Sequence, residues 1–360
     1  MGYQIKNSFY VSKGTFPINE FKKGNAIALY VIGSTLTSTI PNISIAGTIP
    51  IATLFTPALD VEYVTFGKPV TVDIIPTTPE GIPTPAIITR MALKLSKIPF
   101  MVINSGVFTT PKIPIITLPS KEVGKRIDIE NALPAGTSKS LFNESKALGE
   151  TFGRLADVVL IGESIPGGTT TAMAILEALG YEGRNLISSS MKMNPLSIKE
   201  EVVNKALKRL RNFEDPFVVN DVVGDPVHIS IAGLALGILA TNRYVVLAGG
   251  TQMLAVLALM KSITPTFNQR KVMLATTKWI INDKGKEIIK FINDITPHIS
   301  LTYINLSFED APFPGLKAYE EGFVKEGVGA GGTALLAIAK GAKVDELKEQ
   351  IYNEYRRITS

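Results

Sequence analysis

Two glycine clusters, each with an acid beside it, are the parts of this 360-residue chain whose residue types and spacing suit chemistry. The first is Gly162-Glu163-Ser164-Ile165-Pro166-Gly167-Gly168-Thr169-Thr170-Thr171. Glycines let a backbone approach a ligand closely. A helix starting near Thr169 would aim unpaired N–H groups and the positive end of its dipole at an anion. Three successive threonines add hydroxyl donors. The spacing is one residue from a Walker A loop: Gly162, four residues, Gly167, then Gly168 where the lysine belongs. Without that lysine a triphosphate loses its main cationic contact, so a monophosphate suits the loop better. The plain alternative is a strand-to-helix turn with a threonine N-cap.

The second cluster is Gly327-Val328-Gly329-Ala330-Gly331-Gly332. It satisfies G-x-G-x-x-G formally and fails as a dinucleotide fingerprint, because no strand precedes it and too little chain follows to complete a βαβ unit. It shares an acid next to glycine with the first loop, Glu326 here and Glu163 there. A carboxylate beside a helix start and glycine backbone can serve as a general base or hold ribose hydroxyls. It can equally be an ordinary first-turn acid favoured by the helix dipole.

Other chemistry is narrowed by composition. Cysteine is absent, which excludes disulfides, Cys-ligated zinc and thiol catalysis. His228 and His298 are the only imidazoles, too few for a His-rich metal site, and neither has a recognisable triad setting. Net charge is only +5. The densest basic run, Lys205 to Arg211, follows the apolar positions Val202, Val203, Ala206, Leu207 and Leu210, the pattern of a solvated amphipathic helix rather than a nucleic-acid site. The N-terminus, from Met1-Gly2 to Lys6, has no signal-peptide stretch, and Lys6 stands where a myristoylation motif wants Ser or Thr. The apolar stretch from Val227 to Met260 is split by Asn242-Arg243 and by Gly249-Gly250-Thr251-Gln252, so no piece reaches the ~20 residues that span a bilayer. A soluble, cytoplasmic chain without membrane or nucleic-acid partners is expected.

The elements that must position the two clusters can also be read. Before about residue 140 the chain is rich in Ile, Thr and Pro. Short apolar runs (Ala26 to Ile32, Pro99 to Ile103, Ile113 to Leu118) suggest buried strands, separated by turn-rich pieces such as Pro76-Thr77-Thr78-Pro79-Glu80-Gly81-Ile82-Pro83. Thr84 to Leu95 reads as a helix. Ser140 to Leu155 has helical spacing, with Leu141, Leu148, Phe152 and Leu155 on one side. Asp157 to Gly162 is the apolar run of a central parallel strand, followed by the first glycine loop and a helix from Thr170 to Leu179. The pattern recurs as Tyr244 to Ala248, then Met253 to Lys261, and as Lys271 to Thr276, then a helix ending near Ile289. No internal repeat is present. Strand, turn and helix repeated predict an α/β fold with a doubly wound, mostly parallel (Rossmann-like) sheet and ligands at the strand C-termini. The expected division is a large nucleotide-binding domain over residues 26–307. A small, mainly helical domain would form from the chain ends, 1–25 and 308–360.

At the two glycine loops the sequence resembles the nicotinate-nucleotide–dimethylbenzimidazole phosphoribosyltransferase family, specifically divergent archaeal relatives. A G-E-x-x-I-x-N-T-T-like loop is matched by Gly162-Glu163 through Thr170. A lysine followed by V-I-x-x-A-L looks like Lys199, Val202, Val203, Ala206 and Leu207. A D-P-x-x-V segment and a G-G-containing one resemble Asp215-Pro216 through Gly224 and Ile231-Ala232-Gly233. An E-G-x-G-A segment before an apolar helix is matched by Glu326-Gly327-Val328-Gly329-Ala330. The matches run in family order over roughly residues 140–345.

The resemblance implies transfer of ribose 5-phosphate from nicotinate mononucleotide to a benzimidazole-type base, yielding nicotinate and an α-ribazole phosphate for cobamide lower-ligand assembly. It implies Glu326 as the base that takes the acceptor's proton. Ribose, phosphate and nearby charge would be held by Glu163, Gly167, Gly168, Thr169, Thr170, Lys199, Gly249, Gly327 and Gly329. No metal or cofactor is implied, and a homodimer is. Three departures stand out. The family's Asp-Gly pair is Ala248-Gly249 here, which implies that a nucleotide contact is either lost or reassigned to Thr251 or Gln252. The loop's Asn is Gly168. The base-binding region is echoed only at Gly81-Ile82-Pro83-Thr84-Pro85 to Thr89, leaving adenine, a hydroxybenzimidazole and a phenolic base all open. Competing readings are a non-catalytic nucleotide-binding protein and, lacking its lysine, a Walker-type NTPase.

Overall fold

The computed structural model describes residues 3–5, 9–47, 49–74, 77–78, 80–211 and 215–360. Met1, Gly2 and Lys6 of the N-terminal reading, and Pro76 and Pro79 of the turn-rich piece, lie outside the described residues. Nine strands form one sheet: β1 (Tyr3–Ile5), β2 (Phe9–Lys13), β3 (Ala26–Gly33), β4 (Phe100–Gly106), β5 (Ile116–Thr117), β6 (Val158–Ser164), β7 (Tyr244–Ala248), β8 (Val272–Thr277) and β9 (Ser300–Ile304), in the order β1-β2-β9-β8-β7-β6-β3-β4-β5. From β9 to β5 every pairing is parallel, while β1 and β2 run antiparallel at the β9 edge. The doubly wound, mostly parallel α/β sheet expected from the alternating pattern is the fold.

Strand alternation sorts the core into two layers. Leu29, Val31, Val159, Ile161, Val245, Leu247 and Leu274 face one layer; Ala28, Tyr30, Val158, Leu160, Val246, Ala248 and Ala275 face the other. The helices, in chain order, are α1 (Ile18–Lys23), α2 (Thr56–Phe66), α3 (Ala86–Ser96), α4 (Thr137–Leu155), α5 (Gly168–Ala178), α6 (Gly183–Leu186), α7 (Leu196–Leu207), α8 (Pro216–Val223), α9 (Pro226–Ala240), α10 (Gln252–Ile263), α11 (Lys278–Ile295), α12 (Pro314–Lys317), α13 (Ala330–Ala339) and α14 (Val344–Thr359). Buried residues of α4, α5 and α7 to α11 build the first layer, and those of α3, α12, α13 and α14 the second.

The expected elements mostly recur with shifted ends. The strand expected over Ile113 to Leu118 shrinks to two residues, since Pro111, Pro114 and Pro119 donate no backbone hydrogen bonds. The helix expected to stop near Ile289 continues to Ile295 because Phe291 and Ile292 are buried. The helix expected from Thr170 starts at Gly168. Two elements of the first 140 residues, α1 and α2, are helices where only strands and loops were expected apart from Thr84 to Leu95. In α2 the apolar residues do not repeat on one face, because both sides of the helix are covered: Val61 and Tyr63 belong to different clusters.

The apolar stretch from Val227 to Met260 resolves into α9, β7 and α10. In α9, from Pro226 to Leu239, every residue is buried. Among the described residues no helix is long and apolar enough to cross a membrane. On α7 Val202, Val203 and Ala206 are buried while Lys205 lies exposed beside Glu201. The chain ends contribute two strands and α1 from one side and α12 to α14 from the other; β2 extends the main sheet through β9.

Candidate active site

The chain runs outward from β3 through β4 to β5, then returns to place β6 on the other side of β3. That reversal leaves a crevice beyond the carboxyl ends of the strands, where open α/β sheets bind ligands. A cavity of about 610 Å³ lies there, lined by residues 163–169 from the end of β6 to the start of α5, 188–190, 250–252 after β7 and 324–328 before α13. Its opposite wall is apolar and comes from residues 43–85, including Ile43, Ile45, Phe55, Leu59 and Ile82. Glu62, buried on α2, fastens part of this wall by accepting from the amides of Val70 and Thr71 and from Lys112 N at 2.7 Å.

The first glycine loop does what its composition suggested. Gly167 takes φ +79°, and a Cβ there would stand 2.9 Å from the Ser38 backbone, so glycine is required. It is the N-cap of α5 and offers no side chain to the helix end. Gly168 N bonds Ile165 O and Thr170 N bonds Gly167 O, whereas the amides of Gly167 and Thr169 have no protein acceptor among the described residues. Lys199, wholly buried on α7, donates to Thr169 Oγ1 at 2.9 Å and to Ser188 O at 3.0 Å. An ammonium therefore stands one hydroxyl behind the open helix end, supplying from a distant helix the charge that a Walker lysine would supply from the loop. Burial, reinforced by nearby Lys325, brings the Lys199 ammonium down to about 7.

The second loop is tied to the first. Val328 N donates to Glu163 O at 2.9 Å, and a Cβ on Gly162 would lie 3.1 Å from Gly329 Cα. Glu326 turns back on its own helix end. Its carboxylate accepts from Gly331 N at 3.0 Å and Gly327 N at 3.3 Å, with Thr276 Oγ1 at 3.3 Å. Burial outweighs these donors and raises the carboxyl to about 7. Burial and then the charge of Glu326 also push the Glu163 carboxyl well above the usual range.

Of the expected binding residues, Glu163, Gly167, Gly168, Thr169, Glu326 and Gly327 line the cavity, and Lys199 reaches it through Thr169. Three do not line it. Thr170 is buried in α5, and Gly249 packs on Met253, where an added Cβ would lie 2.8 Å from its methyl carbon. Gly329 serves the contact between the two loops. After β7 it is Gly250, Thr251 and Gln252 that face the cavity, while Ala248 is buried against the backbone of α13.

Sequence reasoning missed Asp60, Lys325 and the Asp225–His228 pair. Asp60 accepts from Thr84 Oγ1 and Ser164 Oγ, both at 2.8 Å, and burial raises it to about 6. Its signal was available: an acid within the apolar run Ala58-Leu59-Asp60-Val61 has to be paired or functional. Lys325, directly before Glu326, donates to the carbonyls of Ser189 and Met191 and lines the cavity. Asp225 is the N-cap of α9, where its side chain accepts from Val227 N and His228 N. Its second role, pairing with His228, needed coordinates.

An open α/β crevice that joins an unfilled helix end to a neutral-range carboxyl suits the handling of a sugar phosphate. Residues 86–278 match the family model described as phosphoribosyltransferase, and the chain belongs to that family. It is 46% identical over 356 residues to the UPF0284 protein of Aeropyrum pernix, covering 98% of this chain and 99% of that protein. The UPF0284 protein of Archaeoglobus fulgidus is 40% identical over 351 residues, covering 96% and 98%. Among solved structures, nicotinate-nucleotide-dimethylbenzimidazole phosphoribosyltransferase from Thermus thermophilus superposes with a TM-score of 0.61 at 15% identity, covering 90% of this chain and 83% of that one. The resemblance carried by the two glycine loops holds at the level of family and fold.

Proposed function

We propose that this chain transfers ribose 5-phosphate from nicotinate mononucleotide to a benzimidazole-type or related aromatic base. The observation that carries the reading is the pairing, across one cavity, of the open N-terminus of α5 with the Glu326 carboxyl. The phosphate takes the amides of Gly167 and Thr169, with Lys199 behind them. Glu163 and Asp60 are placed to meet ribose hydroxyls, and the apolar wall at Ile43, Ile45 and Phe55 takes the planar base.

In the reaction one nitrogen of the acceptor attacks the anomeric carbon. The bond from that carbon to the pyridinium nitrogen breaks, and its electron pair neutralises the ring as nicotinate leaves. The proton on the acceptor's other nitrogen passes to Glu326. A carboxyl at about 7 suits this exchange, since it is ionised in a useful fraction of molecules and is still basic enough to take the proton. Attack opposite the leaving group inverts a β-linked substrate to an α-linked product.

The test is incubation with nicotinate mononucleotide and a panel of aromatic bases, measuring nicotinate release. At least one base should support it, and Glu326→Gln should abolish it while keeping nucleotide binding. Binding without release from any base would instead establish a non-catalytic nucleotide-binding protein. The same family reading makes the chain a homodimer, which light scattering on the purified protein tests.

A further inference from the structure

A histidine–aspartate pair lies buried directly behind the cavity, and the reaction above does not use it. His228 and Asp225 have no solvent exposure, and His228 Nδ1 stands 2.6 Å from Asp225 Oδ2. That carboxylate also accepts from Thr171 Oγ1 at 2.5 Å, and its other oxygen caps the start of α9 through Val227 N and His228 N. The far ring nitrogen of His228, Nε2, is 2.9 Å from Gln252 Oε1. The amide nitrogen of Gln252 donates to Glu163 Oε1 at 3.3 Å, and Glu163 Oε2 accepts from Ile165 N at 3.2 Å. An unbroken chain of side chains thus runs from the α9 cap to the cavity.

Room for it is provided by Gly168, where an added Cβ would stand 2.1 Å from Gln252 Oε1. A glutamine amide has a donor end and an acceptor end, and which one faces a neighbour is decided by the partners at both. The Asp225 carboxylate stands against one ring nitrogen of His228, and the other ring nitrogen stands against the oxygen end of Gln252. Only the N–H end is left for Glu163.

We infer that Gln252 is a positioning residue, oriented by the His228–Asp225 pair so that its amide N–H holds the Glu163 carboxyl in place as an acceptor toward the cavity. A donated N–H favours the ionised carboxylate, which can accept a hydroxyl hydrogen bond from a ligand. It opposes burial and the neighbouring acids that face Glu163, namely Glu326 before α13, Asp60 on α2 and Asp225 before α9. The identity of the ligand group as a ribose hydroxyl rests on the function proposed above; the orientation of Gln252 does not.

The experiment follows the Glu163 carboxyl by infrared difference spectroscopy across pH without ligand, its band assigned by loss in Glu163→Gln. Gln252→Met keeps the side-chain length and leaves Asp225 paired, so it remains informative if His228→Phe fails to fold. Each variant should raise the Glu163 midpoint by about one pH unit, and the double variant no further than either alone. An unchanged midpoint in Gln252→Met, or additive shifts, overturns the inference.

Calorimetry then separates this from the assigned function. Gln252→Met should weaken nicotinate mononucleotide about tenfold and inorganic phosphate less than about twofold. Equal weakening of both probes, or none in a wild type that binds the nucleotide, overturns the acceptor role. A wild type that binds no nucleotide refutes the proposed substrate, while the infrared midpoints still decide the positioning.

Discussion

The two helix ends that meet at the cavity have the same local recipe and opposite uses. Each has an acid, a left-handed glycine N-cap (Gly167 before α5, Gly329 before α13) and a run of small residues opening the helix. At α5 the acid points away from the helix end, its Oε2 on Ile165 N and its Oε1 toward Gln252, and the amides of Gly167 and Thr169 stay open among the described residues. At α13 the acid bends back and fills the end itself, on Gly327 N and Gly331 N. An open end attracts an anion from outside. A filled end carries its own anion, and burial then makes that anion a group that exchanges a proton near neutrality.

If that contrast is right, the filled end governs chemistry and the open end governs binding. The largest expected effect is therefore Glu326→Gln, which should cut the rate of nicotinate release by about a thousandfold and change nucleotide affinity less than about threefold. For the wild type the same carboxyl predicts a rate that falls as pH drops below about 7, where Glu326 gains a proton. A pH–rate profile of kcat/KM checks this, and a flat profile would break the assignment.

At the open end, Lys199→Met should raise the KM for nicotinate mononucleotide by about tenfold or more, with kcat nearly kept, measured at pH 6 where the ammonium is charged. A loss confined to kcat would show that the two ends do not divide the work. A smaller effect appears in stability. Native Glu326 binds its proton more tightly than the unfolded chain does, so its contribution to folding falls as pH rises from about 4.5 through about 7. Glu326→Gln should accordingly be more stable than the wild type at pH 8 by about 2 kcal/mol, with the gap closing near pH 4 in thermal melts. Smallest of all, Lys205→Glu on the exposed face of α7 should leave both KM and melting temperature almost unchanged.

The first loop was legible because its chemistry is local. Glycine, threonine and a following helix are neighbours in sequence, and the backbone amides they expose need no distant partner. The parallel strands were legible for the same reason: β6, β7 and β8 are short apolar runs bounded by turn residues. Thr170, Gly249 and Gly329 looked equivalent to their neighbours in a linear string, yet the helix phase of α5, the Met253 contact and the loop-to-loop packing turn them from the cavity. Asp60 was passed over because α2, covered on both sides, shows no amphipathic period to draw attention to an acid on one face. The His228–Asp225 pair stayed invisible because a histidine three residues after an N-cap aspartate is an unremarkable spacing until its far nitrogen is seen to reach α10.

By itself, the sequence determined the alternation of strands and helices, the anion-ready loop after β6 and the placement of an acid before a glycine-rich helix start. These follow from side-chain period, glycine geometry and helix dipoles, all of which act within a few residues. Only the tertiary structure decided that the two loops share one cavity, that Lys199 stands behind Thr169, and which way Glu163 and Glu326 turn. Those outcomes depend on the crossover that sets β6 beside β3 and on burial, which shifts a carboxyl by removing water that no local pattern records.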